Sequence, residues 1–241
     1  MQPLQYTLAV TLPEDETLDS FYAAGQTEAV LAVKRYLTNA TGQPPLFVFG
    51  ASGSGKSHLL YASCIFAQEH GLTSQLLALQ DYQQLSPRLL DNLEQLDVVC
   101  LDNIQAIATD LTWQVAVFDL YNRMVEQGKA LIIVADQPPS QLGFKLADLV
   151  SRLQACQSIQ LRLLTDDEKQ KLLQQKAHQR GLELGDDVSR FLLNRYQRDI
   201  RSLVAILDKL DKASIVHQRK LTIPFIKSIL IFVKRGNIDW V

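Results

Sequence analysis

Residues 45–58 read PLFVFGASGSGKSH. Leu46 to Phe49 are apolar without a break, the composition of a short strand buried on both faces. Gly50 to Ser57 then match G-x-x-x-x-G-K-[ST] in full, and the chain continues into an apolar segment of helical character. Strand, glycine loop and helix in that order are the context in which this pattern binds phosphate. Glycines at 50, 53 and 55 allow backbone angles that a Cβ obstructs, so the loop amides can turn inward toward phosphate oxygens. The helix that opens near Lys56 adds its positive end. The expected nucleotide contacts are Gly50, Ser52, Gly53, Ser54, Gly55, Lys56, Ser57 and His58. Lys56 reaches the β-phosphate, and the γ-phosphate where there is one, while the Ser57 hydroxyl ligates Mg²⁺. The plain alternative is a glycine-rich turn with no ligand. Such a loop reads phosphates and not the base, so the expected ligand is ADP or ATP, with another nucleoside diphosphate left open.

A second stretch, VVCLDNIQ at 98–105, reads as the partner strand. Apolar residues run into Asp102, expected as the second Mg²⁺ partner, directly or through water; a turn aspartate at a strand end is the alternative. The following residue is Asn103, where a working nucleotide hydrolase usually carries another carboxylate. An amide can orient a water but cannot take its proton, and losing a general base costs about 10²–10⁴ in rate. The reading is slow or negligible hydrolysis by the chain alone, with nucleotide retained as diphosphate. Phe21 and Tyr22, in LDSFYAAGQTEAV ahead of the first strand, are candidates for the base pocket, with core packing as the alternative.

Working outward, the apolar runs at 46–50, 74–80, 97–102, 130–136 and 158–164 read as parallel strands. The segments 56–70, 83–95 and 111–127 read as helices. This alternation predicts an α/β fold with helices on both faces of the sheet. After Leu164 the pattern changes. TDDEKQKLLQQKAHQRG opens with a capping-box pattern, Thr165 three residues before Glu168, and closes at Gly181. Further helical segments follow. The expected organisation is a short N-terminal peptide at 1–12, an α/β nucleotide-binding domain at 13–162 and an α-helical lid at 163–241.

The 241 residues suffice for one large domain with a small appendage. The net charge of −2 marks neither a nucleic-acid binder nor a membrane-surface protein. The three cysteines, Cys64, Cys100 and Cys156, are far apart in apolar surroundings and suit buried thiols of a cytoplasmic protein. MQPLQYTLAV has no basic start and no long apolar run, and no stretch approaches the ~18 apolar residues of a spanning helix. No membrane association is expected.

With these pieces placed, the chain resembles the AAA+ family and, within it, the bacterial initiator DnaA and its regulatory relatives. The resemblance rests on LPEDETLDSFYA, LDNIQAIA, FDLYNRMVEQGK, DQPPSQL, DLVSRL and ASIVHQRKLTIPFIKSIL, in that order along the chain. It implies a five-stranded parallel sheet and a helical lid. It also assigns roles by position. Asp136 falls at the sensor near a γ-phosphate. Arg152 resembles an arginine finger acting in trans, the alternative being a salt bridge with Asp148. Arg201 resembles the lid arginine that reaches back to the phosphates, the alternative being a pair with Asp199 or Asp208.

The resemblance further implies a partner, DnaA. A second implied partner is the DNA polymerase III β sliding clamp, engaged by an N-terminal peptide that Gln5, Leu8 and Val10 match loosely. An edge strand or a free tail is the alternative for that peptide. The chain stops just after the lid, so no recognition helix for a major groove is expected, and contact with DNA is mainly indirect, through the clamp. Residues 195–235 hold ten Lys/Arg against three Asp, a basic face open to DNA, to an acidic partner or simply to solvent. A homodimer or head-to-tail oligomer is compatible with a finger that crosses a seam. The implied role is a negative regulator of replication initiation, more an activator of the partner's hydrolysis than an enzyme itself. The alternative is an autonomous ATPase such as a helicase loader or remodeller.

Overall fold

The computed structural model describes residues 17–19, 21, 26–195, 200–217 and 221–234, with the backbone alone at 200–202, 214–217 and 230–234. The chain divides into two units, Met1–Leu163 and Leu164–Val241.

The first unit is built on a five-stranded, all-parallel sheet. The strands are β1 (Leu46–Phe49), β2 (Ser74–Ala78), β3 (Val98–Asp102), β4 (Ala130–Ala135) and β5 (Gln157–Gln160). Their order in space is β2-β3-β4-β1-β5. The four-residue apolar run LFVF becomes β1, paired on one side with β4 (Phe47 opposite Ile133) and on the other with β5 (Phe47 opposite Ser158). Side chains on a strand alternate between faces, and the two cores follow that alternation. Val48, Val98, Cys100, Ile132 and Val134 join one apolar cluster, while Phe47, Val99, Leu101, Leu131 and Ile133 join the other.

Helices cover both faces. α1 (Thr27–Thr38) and α2 (Lys56–Glu69) seal the first cluster. α1 buries Ala29, Val33, Tyr36 and Leu37, an i, i+4, i+7, i+8 stripe. The Tyr36 hydroxyl accepts the backbone N–H of Leu131 at 3.0 Å, which locks the helix to β4. α3 (Leu111–Glu126) and α4 (Ala147–Gln154) seal the second cluster. The helices that follow the adjacent strands β1 and β4 therefore lie on opposite faces. Where neighbouring strands send their connections to opposite sides, a crevice opens at the strand carboxyl ends, and ligands bind there.

Two expectations are corrected. The segment 83–95 is not a helix but part of a chain of tight 3₁₀ turns, Leu79–Gln84, Pro87–Leu90 and Leu93–Gln95. Pro87 pushes Ser86 into an extended conformation (φ −104°, ψ 139°), and Asn92 adopts a left-handed one (φ 62°), so no α-helix can run through. The apolar run at 158–164 gives only a short edge strand at Gln157–Gln160, with mostly exposed side chains. The helices α1 and α4 carry no counterpart in the sequence reading.

The second unit holds α5 (Asp166–Gln179), α6 (Asp186–Arg195), α7 (Ile200–His217) and α8 (Ile223–Lys234). The capping box at its start is formed: the Thr165 hydroxyl accepts from the Glu168 N–H, and Glu168 Oε2 accepts from the Thr165 N–H at 2.9 Å. Leu173, Ala177, Leu192, Leu203, Leu207, Leu210 and Ile226 make its core. Among the described residues no helix is long and apolar enough to cross a membrane.

Candidate nucleotide-binding site

The glycine loop joins β1 to α2 at the carboxyl edge of the sheet. Its first residue has no room for a side chain. A Cβ on Gly50 would stand 2.2 Å from the backbone oxygen of Leu161, just past β5. The last glycine, Gly55, has φ +94° and caps α2, and a Cβ there would press on the Phe21 ring at 3.2 Å. These two glycines let the loop fold tightly against β5 and the segment before α1.

Lys56 is buried, and its ammonium donates to the carbonyl oxygens of Gly50 at 2.6 Å and Ala51 at 2.9 Å. It thus curls over the inside of the loop. The Ser54 hydroxyl is buried in the same turn with no hydrogen-bond partner, the condition of a group waiting for an external acceptor. A tight glycine turn, a buried cation and an unpartnered hydroxyl suit a polyphosphate.

β3 ends beside this loop. Ser57 Oγ donates to Asp102 Oδ2 at 2.8 Å, and Asp102 Oδ1 accepts the Asn103 N–H at 2.9 Å. A hydroxyl whose proton is held by a carboxylate keeps its lone pairs free, which is the donor set a hard, oxygen-seeking cation such as Mg²⁺ selects. The residues fit that ion. Among the described residues no cluster of three or more His, Cys, Asp or Glu offers a softer metal a site.

Asn103 has a left-handed backbone (φ 58°), and its Oδ1 accepts from Gln105 Nε2 at 3.2 Å. Its amide nitrogen is the end left to act as a donor. Asp136 follows Ala135, which pairs with Phe49 in the β1–β4 register, so it sits next to the loop's starting point and is exposed.

Phe21 is buried and meets the His58 ring edge to face, with centroids 5.2 Å apart. It does pack, and it packs at the loop. Tyr22, the other base-pocket candidate, and Gln5, Leu8 and Val10 lie outside the described residues. Arg201 is in α7, where only the backbone is described. One of its alternative partners, Asp208, is engaged by Arg180 at 2.7 Å.

Arg152 stands exposed in the last turn of α4, and no ion pair joins it to Asp148 among the described residues. Its guanidinium lies over the Tyr121 ring, 5.9 Å from the centroid. Sequence reasoning missed Tyr121, Gln105 and Gln26. Gln26 is buried at the start of α1, donates to Arg162 O at 3.2 Å and leaves its own carbonyl oxygen without a partner. A buried glutamine at a helix start gives no periodicity signal that would single it out.

The model of the bacterial DnaA ATPase domain matches residues 12–160. The chain belongs to the DnaA-related AAA+ family. A second model, the lid domain of Hda, matches residues 166–230. Similar solved structures agree on the fold. Domain III of the Thermotoga maritima replication initiation protein DnaA superposes with a TM-score of 0.74 at 20% identity, covering 91% of this chain and 97% of that one. AMPPCP-bound DnaA from Aquifex aeolicus gives 0.70 at 25% identity, covering 84% and 67%. The Thermotoga maritima RuvB Holliday junction branch migration motor gives 0.67 at 14%, covering 92% and 72%, a likeness of fold alone. The glycine loop, Lys56 and the Ser57–Asp102 pair lie within the part of the chain that matches the DnaA ATPase domain, and a helical lid of the Hda type follows.

Proposed function

We propose that this chain is a nucleotide-held regulator of the initiator, a negative regulator of replication initiation. Docked on the DNA-loaded β sliding clamp through its N-terminal peptide, it presents Arg152 to ATP bound by DnaA. DnaA then hydrolyses that ATP and loses its competence to initiate. The single observation that carries this reading is the exposed guanidinium of Arg152, unpaired with Asp148, on a DnaA-type domain joined to an Hda-type lid. A planar, permanently charged fork offered to solvent suits the phosphoryl oxygens of a neighbour's nucleotide. Fingers of this kind are worth about 10³–10⁵ in rate.

The chain's own nucleotide, ADP in this reading, serves shape. An adenine nucleotide is supported by the AMPPCP-bound relative. Lys56, Ser54 and the loop amides hold the diphosphate. Ser57 and Asp102 hold Mg²⁺, which would neutralise phosphate charge when bound. Asp136 and Arg201 sense the phosphates from the sheet and the lid, and Phe21, Tyr22 and His58 flank the nucleoside. Asn103 supplies no base, so the chain does not consume what it holds.

The deciding experiment measures hydrolysis of DnaA-bound ATP with clamp-loaded DNA, comparing the protein with Arg152→Ala. Loss of nearly all stimulation is expected, and equal activity refutes the finger. A second reading, an autonomous ATPase such as a helicase loader, draws on the intact Lys56 and the Ser57–Asp102 contact. Basal turnover of several per second, rising with DNA or helicase, would favour it.

A further inference from the structure

Arg152 is braced at both ends. Its guanidinium rests over the ring of Tyr121, a buried side chain in the middle of α3. Its backbone carbonyl, one of those a helix terminus leaves open, accepts from the Ala155 N–H at 3.1 Å and from the Cys156 thiol at 3.4 Å. The Tyr121 phenol and the Cys156 thiol lie close enough to influence each other's ionisation. The thiol thus holds the arginine's own peptide, while the ring of Tyr121 carries the arginine's head. Burial pushes both Tyr121 and Cys156 up to about 12, so both stay neutral at physiological pH. The ring keeps the electron-rich face that attracts a cation, and no thiolate competes for the guanidinium.

We propose that Tyr121 is a positioning residue for Arg152, holding the guanidinium extended from α4 in the orientation in which it meets a phosphoryl group on the partner. This rests on the finger reading of Arg152. An exposed arginine samples many rotamers, and most of them point the fork away from any one target. A ring fixed by core packing narrows that choice. It leaves the outer edge of the fork, with its N–H donors, open to oxygen acceptors. The stacking of a cation on an aromatic face at an exposed site is worth a two- to five-fold preference, about the change expected in rate.

The test uses the full chain in the assay of DnaA-bound ATP hydrolysis on clamp-loaded DNA. Tyr121→Leu is expected to lower the stimulated rate about two- to five-fold, with the chain's own nucleotide affinity unchanged, and Tyr121→Phe, which keeps the ring, restores most of it. In an Arg152→Ala background, Tyr121→Leu is expected to have no further effect, because its only route to the reaction is gone. A similar additional loss in that background would show a merely structural role and overturn the proposal. So would a full-rate Tyr121→Leu. The Arg152 Nε–H resonance supplies a readout independent of the partner. It should be shifted by the ring in the wild type and in Tyr121→Phe, and lose that shift in Tyr121→Leu. If Arg152→Ala leaves the assay unchanged while this shift is present, the finger reading fails and the bracing stands. If the wild type shows no shift, the bracing fails whatever the assay gives.

Discussion

In the proposed reading, Asn103 stands where proton removal from an attacking water would have to begin. The sequence showed the amide but neither its left-handed backbone nor the hydrogen bond from Gln105 that turns its carbonyl away. Both depend on how the chain leaves β3. Aspartate tolerates the left-handed region nearly as well as asparagine, so Asn103→Asp changes acidity with little change of shape. Basal ATP turnover in the presence of Mg²⁺ is expected to rise by about 10²-fold, measured as phosphate release from the purified chain. An unchanged rate would mean that the missing carboxylate is not what holds the chain's own chemistry back. Lys56 and Ser57 stood out in the sequence, because a spacing motif fixes both the residue types and the local path of the chain, while Asp102 stood out only as the carboxylate that ends an apolar run.

Between elements, buried polar side chains do work that no pattern announces. Gln114 reads as an ordinary helix residue in α3. It is wholly buried, donating to Ile107 O at 3.1 Å and Ala108 O at 2.8 Å and accepting from the backbone of Lys145 at 2.9 Å and Leu146 at 3.0 Å. It ties the turn after β3 to the loop that leads into α4, the helix that carries Arg152. Gln114→Leu removes the side-chain partner of four backbone groups, of which Ile107 O keeps another donor, the Asp110 N–H, and is expected to cost roughly 2–4 kcal/mol in urea unfolding. A loss below about 0.5 kcal/mol, the size of an ordinary surface change, would contradict this account.

At the opposite edge of the sheet, Asp97 fastens three strand starts. It accepts from Lys129 Nζ at 2.8 Å, from the Thr73 N–H at 2.9 Å and from the Thr73 hydroxyl at 2.7 Å. The Lys129 contact and then the Thr73 donors hold its carboxyl down to about 2, below the ordinary ~3.9. A carboxyl lowered on folding stabilises the protein above its unfolded value, and the contribution fades as pH falls from about 4 toward 2. Asp97→Asn should therefore destabilise the protein at pH 7, and the gap to wild type should narrow as pH falls toward 2. A gap that stays constant with pH would rule out the ionised carboxylate as its source.

For the whole molecule, the proposal separates holding nucleotide from docking. The N-terminal peptide and the glycine loop lie apart in sequence, and in the proposed reading they serve different partners. Gln5→Ala is expected to weaken binding to the isolated sliding clamp about tenfold, as loss of one polar anchor in a peptide groove does, while nucleotide affinity stays unchanged. Surface plasmon resonance on immobilised clamp reads the first, and a fluorescent-nucleotide titration reads the second. Unchanged clamp affinity would remove the peptide from the account. The basic lid enters separately. If it met DNA directly, affinity would fall steeply with salt through counterion release, whereas docking by the peptide would be nearly indifferent to it.

The sequence by itself determined the elements whose signals are local. These are the strand–loop–helix around the glycine motif, the alternation that makes a parallel sheet, and the capping box that opens the second unit. Each is set by neighbours within one or two turns of chain. The tertiary structure decided what depends on residues distant in sequence. Leu161 denies Gly50 a side chain, Asp102 meets Ser57, Gln114 bridges two loops, and Tyr121 lies beneath Arg152. None of these leaves a periodic trace, because each is a contact between elements that only packing brings together.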